Sequence, residues 1–146
     1  TIDSVETYAF QGGIFDGLSA EYQERYLDSA LSLLEMAQEG ETDPAMEETA
    51  RQQEEMMSGM FAAWKAGDPE AFAQVYDKAA VINSDDELNS KLFTERDPGM
   101  IQAAASYLET EGENTFFLAV GAGHMVDPGG IVSGLRELGY TVELVE

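Results

Sequence analysis

Apolar residues recur at helical spacing through the first two thirds of the chain, then give way to two short unbroken apolar runs near its end. Over 20–38, Tyr22, Tyr26, Leu27, Ala30, Leu31 and Leu34 share one helical face, because a period of 3.6 brings such positions together. Ser19 is placed to cap this helix and Gly40 to end it. A second helix is predicted from Pro44 to about Ala66, carrying Met46, Ala50, Met57, Met60, Phe61 and Trp64, with Gly67 as its stop. A third starts at Pro69 with Phe72, Val75, Tyr76 and Ala79 inward, a fourth covers about 85–95, and a fifth runs from Pro98 to about Glu109. All four prolines follow Asp, at 43–44, 68–69, 97–98 and 127–128. Asp caps helices well and Pro suits the first turn, so each pair reads as a helix start, the fourth weakened by Gly129-Gly130.

Residues 2–9 (IDSVETYA) read as a short strand. Residues 115–120 (TFFLAV) suit a strand buried on both faces, 121–124 (GAGH) a tight turn, 130–138 a helix stopped by Gly139, and 140–145 (YTVELV) another strand. Strand–helix–strand predicts a right-handed parallel unit. The expected fold class is therefore α/β, a small, partly parallel sheet with several packed helices in one domain over 1–146, likened below to half of a larger domain. An exposed sheet edge or apolar face is expected where the remainder would dock.

Charge narrows the choice of partner. The chain has 29 acidic residues against seven Lys or Arg, for a net charge of −22. Nucleic acid is excluded, since nothing clusters cations to replace phosphate counterions, and an anionic membrane surface is disfavoured for the same reason. Such charge ordinarily serves solubility; hard-cation binding or a salt-rich habitat are the sharper readings, although no Asp-x-Asp-x-Asp calcium loop is present. With no cysteine, disulfides and thiol catalysis are out, and no apolar run is long enough to span a membrane. A start at Thr1 rather than Met reads as a trimmed or processed chain.

His124 is the only histidine and follows Gly121-Ala122-Gly123 at the expected end of a buried strand, where open parallel sheets place ligands. An imidazole there serves as a metal ligand or a general base, or merely caps the turn. The loop GAGHMVDPGG is a poor phosphate cradle, because it lacks a P-loop Lys and Asp127 would repel an anion. Glu6, at the end of the first predicted strand, is a candidate ligand or base, with a solvated surface carboxylate as the plain alternative. Arg96, between two helices in Glu95-Arg96-Asp97, could clamp a carboxylate through two parallel bonds or make an ordinary ion pair, while Asp97 reads as the cap before Pro98. The stripe Met56, Met57, Met60, Phe61 and Trp64 is core by default, but Met56 and Met57 cannot both face one core, so a peptide or partner groove stays open.

Several of these segments together resemble the TraB/GumN (Tiki-like) family. Val120-Gly121-Ala122-Gly123-His124-Met125, then Gly130, Leu135, Gly139-Tyr140 and Val142, is similar to its closing signature. Arg96-Asp97-Pro98-Gly99-Met100 resembles its "RN..M" element, with Asp97 where Asn is usual, and Glu6-Thr7, Gln11 and Leu18-Ser19 resemble "LET…Q…LS". The likeness is good at 4–20 and 92–145 and vague between 40 and 85. It implies the C-terminal portion of a metal-dependent, peptidase-like hydrolase, inactive as this segment alone, or a non-catalytic peptide-binding or regulatory module of the same fold. It implies His124 as metal ligand or water-activating base, Glu6 as second ligand or base, and Arg96 holding a carboxylate or stabilising developing negative charge. It also implies a divalent metal, manganese or cobalt, that this segment alone would not hold. A first Gly-x-x-His would lie in an N-terminal half, the substrate would be a peptide or protein, and the setting would be exported or cell-envelope. Homodimerisation is left open. Glu6, Arg96 and His124 are expected to converge on one wet crevice, with the imidazole held out towards solvent.

Overall fold

Side chains that accept from the next turn's backbone N–H set most of the helix starts. The computed structural model describes residues 1–39 and 44–145. Thr7 Oγ1 accepts from Phe10 N and opens α1 (Tyr8–Asp16), and Ser19 Oγ accepts from Tyr22 N and opens α2 (Ala20–Glu39). α3 (Pro44–Ala66) closes at Gly67, whose φ of 66° is cheap only without a Cβ. Asp68 caps α4 (Pro69–Val75), Asp77 caps α5 (Lys78–Ile82), and Asp86 caps α6 (Glu87–Thr94). α7 (Asp97–Leu108) is followed by a 3-10 turn (Ala122–His124) and α8 (Ile131–Glu137), which Gly139 stops at φ 93°. The stop at Gly40 and the cap at Asp43 lie outside the described residues.

The described chain is all-helical, which overturns the expected α/β class and its parallel sheet. Neither apolar run joins a ladder among the described residues, and Phe117 is 94% exposed. A strand exists only through hydrogen bonds to a neighbour, so strand-forming composition is necessary without being sufficient. Residues 2–9 likewise form no strand, because Thr7 nucleates α1 instead. The fourth Asp-Pro pair starts no helix: its peptide bond is cis, and α8 begins three residues beyond Pro128.

The predicted third helix is broken. Asp77 accepts from Ala80 N at 2.9 Å, so the chain stops after Val75 and restarts at Lys78. The restart turns Lys78 into the interior and leaves Ala79 exposed, the reverse of the expected facing. Asp97 does not cap either: α7 begins at Asp97 itself, and the cap position belongs to Arg96, which makes no side-chain cap bond.

The chain divides into two compact units, Thr1–Asp16 with Tyr76–Glu146, and Gly17–Val75. In the first, α8 lies on α7 with Ile131 buried and the Gly134 Cα side close to Ile101. Burying one such isoleucine contributes about 1.5–3 kcal/mol. In the second, α4 packs on α3, Phe72 and Ala63 are buried, and a Cβ at Gly59 would touch Val75.

Candidate functional site

The first unit holds a buried polar cluster built from four elements. The 3-10 turn delivers His124, the start of α7 Asp97, the start of α5 Lys78, and the loop before α8 the Val126 carbonyl. Asp97 bridges two cationic or donor groups: Oδ1 lies 2.6 Å from His124 Nδ1, and Oδ2 lies 2.6 Å from Lys78 Nζ. Lys78 Nζ also donates to Val126 O at 2.8 Å and stands 5.0 Å from the Phe93 ring centre. The Phe93 ring covers the imidazole, with centroids 5.2 Å apart, and Tyr76 borders Phe93 from the other end. Lys78 is 1% exposed and His124 8%. An ammonium so completely buried is tolerated because a carboxylate and a carbonyl both receive its protons. Burial, then the Asp97 charge, push the Tyr76 phenol up from its ordinary value.

Tautomer follows from this geometry. An ionised carboxylate only accepts, so His124 Nδ1 carries the proton in its bond to Asp97, and in the neutral ring Nε2 presents its lone pair. Among the described residues nothing bonds Nε2, and no fully buried side-chain nitrogen or oxygen lacks a partner, so Nε2 keeps contact with solvent. The imidazole is therefore held inward by its Nδ1 side, not held out by glycines as expected, and it hangs from a 3-10 turn rather than a strand end.

On the other side of the α7 start, Arg96 grips Glu6 with two bonds, Nε to Oε1 at 2.9 Å and Nη2 to Oε2 at 2.8 Å. Gln11 Nε2 adds a bond to Glu6 Oε2 at 3.2 Å. The guanidinium fork holds the Glu6 carboxyl below its ordinary value, against the opposing effect of partial burial; Gln11 and the nearby charges of Arg96 and His124 assist. The structure thus joins Glu6 to Arg96 directly and brings His124 within electrostatic reach of Glu6, although no hydrogen bond links those two among the described residues.

Because the folded Glu6 value is lowered, its contribution is complete above the unfolded value near 4.3 and fades as pH falls through the folded one. Glu6→Gln is expected to cost about 1–2 kcal/mol at pH 7 and nothing once the wild-type carboxyl is protonated. Urea titrations of both proteins from pH 7 down to pH 2 check this; a gap that stays constant with pH would contradict it.

The likeness implies a divalent metal, and the residues present do not fit one by themselves. Among the described residues no group of three or more His, Cys, Asp or Glu gathers to hold an ion. Both Glu6 oxygens meet Arg96, both Asp97 oxygens meet His124 and Lys78, and His124 Nε2 is the one donor of the cluster left open.

Lys78 and the inward role of Asp97 were not read from the sequence. The available signal was a lysine, one of seven cations, set among Tyr76, Ala79, Ala80 and Val81, together with Asp in place of Asn after Arg96. No curated protein and no solved structure matches the chain. A family model, described as the TraB/PrgY/gumN family, matches residues 1–144, and the chain belongs to that family.

Proposed function

We propose that this chain supplies the acid–base part of a peptidase-like hydrolytic centre, with His124 as the base that activates water. The observation that carries this reading is the Asp97–His124 bond of 2.6 Å, which orients the ring and leaves Nε2 without a hydrogen-bond partner among the described residues. In such a centre Nε2 takes a proton from water as its oxygen attacks the carbonyl carbon of an amide or ester, then returns that proton to the departing amine or alkoxide. Asp97 holds the tautomer through both states. Arg96, neutralised by Glu6, holds that carboxylate in place and offers an N–H to developing negative charge. A divalent ion, manganese or cobalt by the family likeness, would need ligands beyond the described residues, because binding at His124 Nε2 would use the lone pair that the base requires; no step of this scheme passes through it.

The test is peptide hydrolysis by the purified protein with manganese or cobalt supplied, wild type against His124→Ala and Asp97→Asn. Turnover is expected to fall about 10²–10⁴-fold in His124→Ala. Equal turnover in the two proteins would remove His124 from the chemistry. A second reading, a non-catalytic peptide-binding or regulatory module, is favoured by the saturation of both carboxylates with cations of the chain itself. It expects the same peptides to bind without turnover, and binding that survives His124→Ala.

A further inference from the structure

Two helices of the Gly17–Val75 unit carry apolar stripes that their own packing does not cover. On α3, Met46, Met57, Phe61 and Trp64 share one side, while the side turned to α4 is that of Gly59 and Ala63. Trp64 is 65% exposed and Phe61 59%. On α2, Tyr26, Leu27, Leu31 and Leu34 share an arc that is also open, with Leu34 59% exposed. A depression along the polar face of α2 is walled by Glu21, Glu24, Arg25, Asp28 and Leu33, with Met46 of α3 at its edge, so it is separate from the Leu27, Leu31 and Leu34 arc. Isolated exposed apolar residues need no explanation, but a stripe of four along one face of a helix does.

Charge decides between occupants. Residues 17–75 carry 13 acidic side chains and three basic ones, Arg25, Arg51 and Lys65. Arg51 is already held by Glu48 and Glu55. At helical spacing Glu47 and Glu54 border the α3 stripe and Glu24 and Glu35 the α2 arc, so acid flanks apolar faces rich in Met and Leu, side chains that adapt to varied partners. A second copy would bring the same negative rim against itself, whereas a helix with Lys or Arg beside its own apolar face would satisfy both surfaces at once.

We infer that the open stripes of α2 and α3 are each a docking face for a cationic amphipathic helix. Trp64, the only tryptophan, lies in the stripe and reports occupancy directly. The experiment uses the whole 146-residue protein and three synthetic peptides of about 18 residues, long enough to be helical: Leu/Lys in amphipathic order, the same Leu positions with Glu, and a scrambled Leu/Lys peptide. Only the first is expected to shift Trp64 emission to the blue, with a Kd about tenfold or more below the other two, weakening as salt is raised. Leu31→Asp/Phe61→Asp, both exposed, is expected to keep its circular dichroism and lose about tenfold in affinity. Equal binding of the Lys and Glu peptides, equal binding of the scrambled peptide, or no binding would overturn the inference. So would sedimentation showing a dimer of the free protein with Trp64 already shielded.

Discussion

Replacing Lys78 with Met is expected to destabilise the protein by about 3–5 kcal/mol, the range for removing one partner of a buried ion pair. The side chain is 1% exposed and touches Asp97 Oδ2, the Val126 carbonyl and the face of Phe93. Methionine fills the volume, so the loss isolates charge: it leaves the Asp97 carboxylate buried with only His124 beside it, and the Val126 carbonyl without its donor. Lys65→Met makes the same charge change on an exposed position of α3 and should stay within about 0.5 kcal/mol. The double variant Lys78→Met/Asp97→Asn should be less destabilised than the sum of its single changes, because a neutral amide still accepts from His124 and no buried charge remains. Urea unfolding at pH 7 measures all four proteins. A loss below about 1 kcal/mol for Lys78→Met would mean that the cluster is hydrated and the pair is not structural.

The second large effect is expected from Gly130→Ala, at about 2–3 kcal/mol. Glycine is not needed there for its backbone angles, which are ordinary at φ −74° and ψ 168°. It is needed for space: a Cβ would stand 2.3 Å from the Val126 oxygen and 2.8 Å from that of Met125. Both obstacles are main chain and cannot rotate away, so the 125–130 loop must open, and with it the carbonyl that receives Lys78. Gly134→Ala should cost less, roughly 1 kcal/mol, since its Cβ meets chiefly the mobile end of Ile101. Gly99→Ala, inside α7 with nothing near its Cβ, should stabilise by up to about 1 kcal/mol through helix propensity. Thermal or urea unfolding of the three variants ranks them, and a Gly130→Ala no worse than Gly134→Ala would refute the close-approach argument. Because Val126 links the loop to Lys78, Gly130→Ala and Lys78→Met together should fall short of additivity.

Much of the candidate site was within reach of sequence reading, but only piecewise. His124 stood out as the single imidazole after a glycine turn, and Glu6 and Arg96 through their likeness to family elements. What joined them was not visible: the Glu6–Arg96 and Asp97–His124 bonds span 90 and 27 positions. Asp97 shows why. As Asp before Pro it has the marks of a cap, and locally that is the natural reading; a lysine buried by the break at Asp77 draws its carboxylate inward instead.

Sequence alone determined the features whose causes lie within a few residues. The caps at Ser19 and Asp68 and the stops at Gly67 and Gly139 all follow from bonds or backbone angles confined to one turn. The acidic balance and the lack of thiol chemistry needed no structure at all. Tertiary structure decided which faces were covered, that TFFLAV and YTVELV join no ladder among the described residues, and that Lys78 rather than Ala79 turns inside. Ladder pairing and the burial of charge depend on which groups arrive from far along the chain, and composition at one position carries no record of its distant partner.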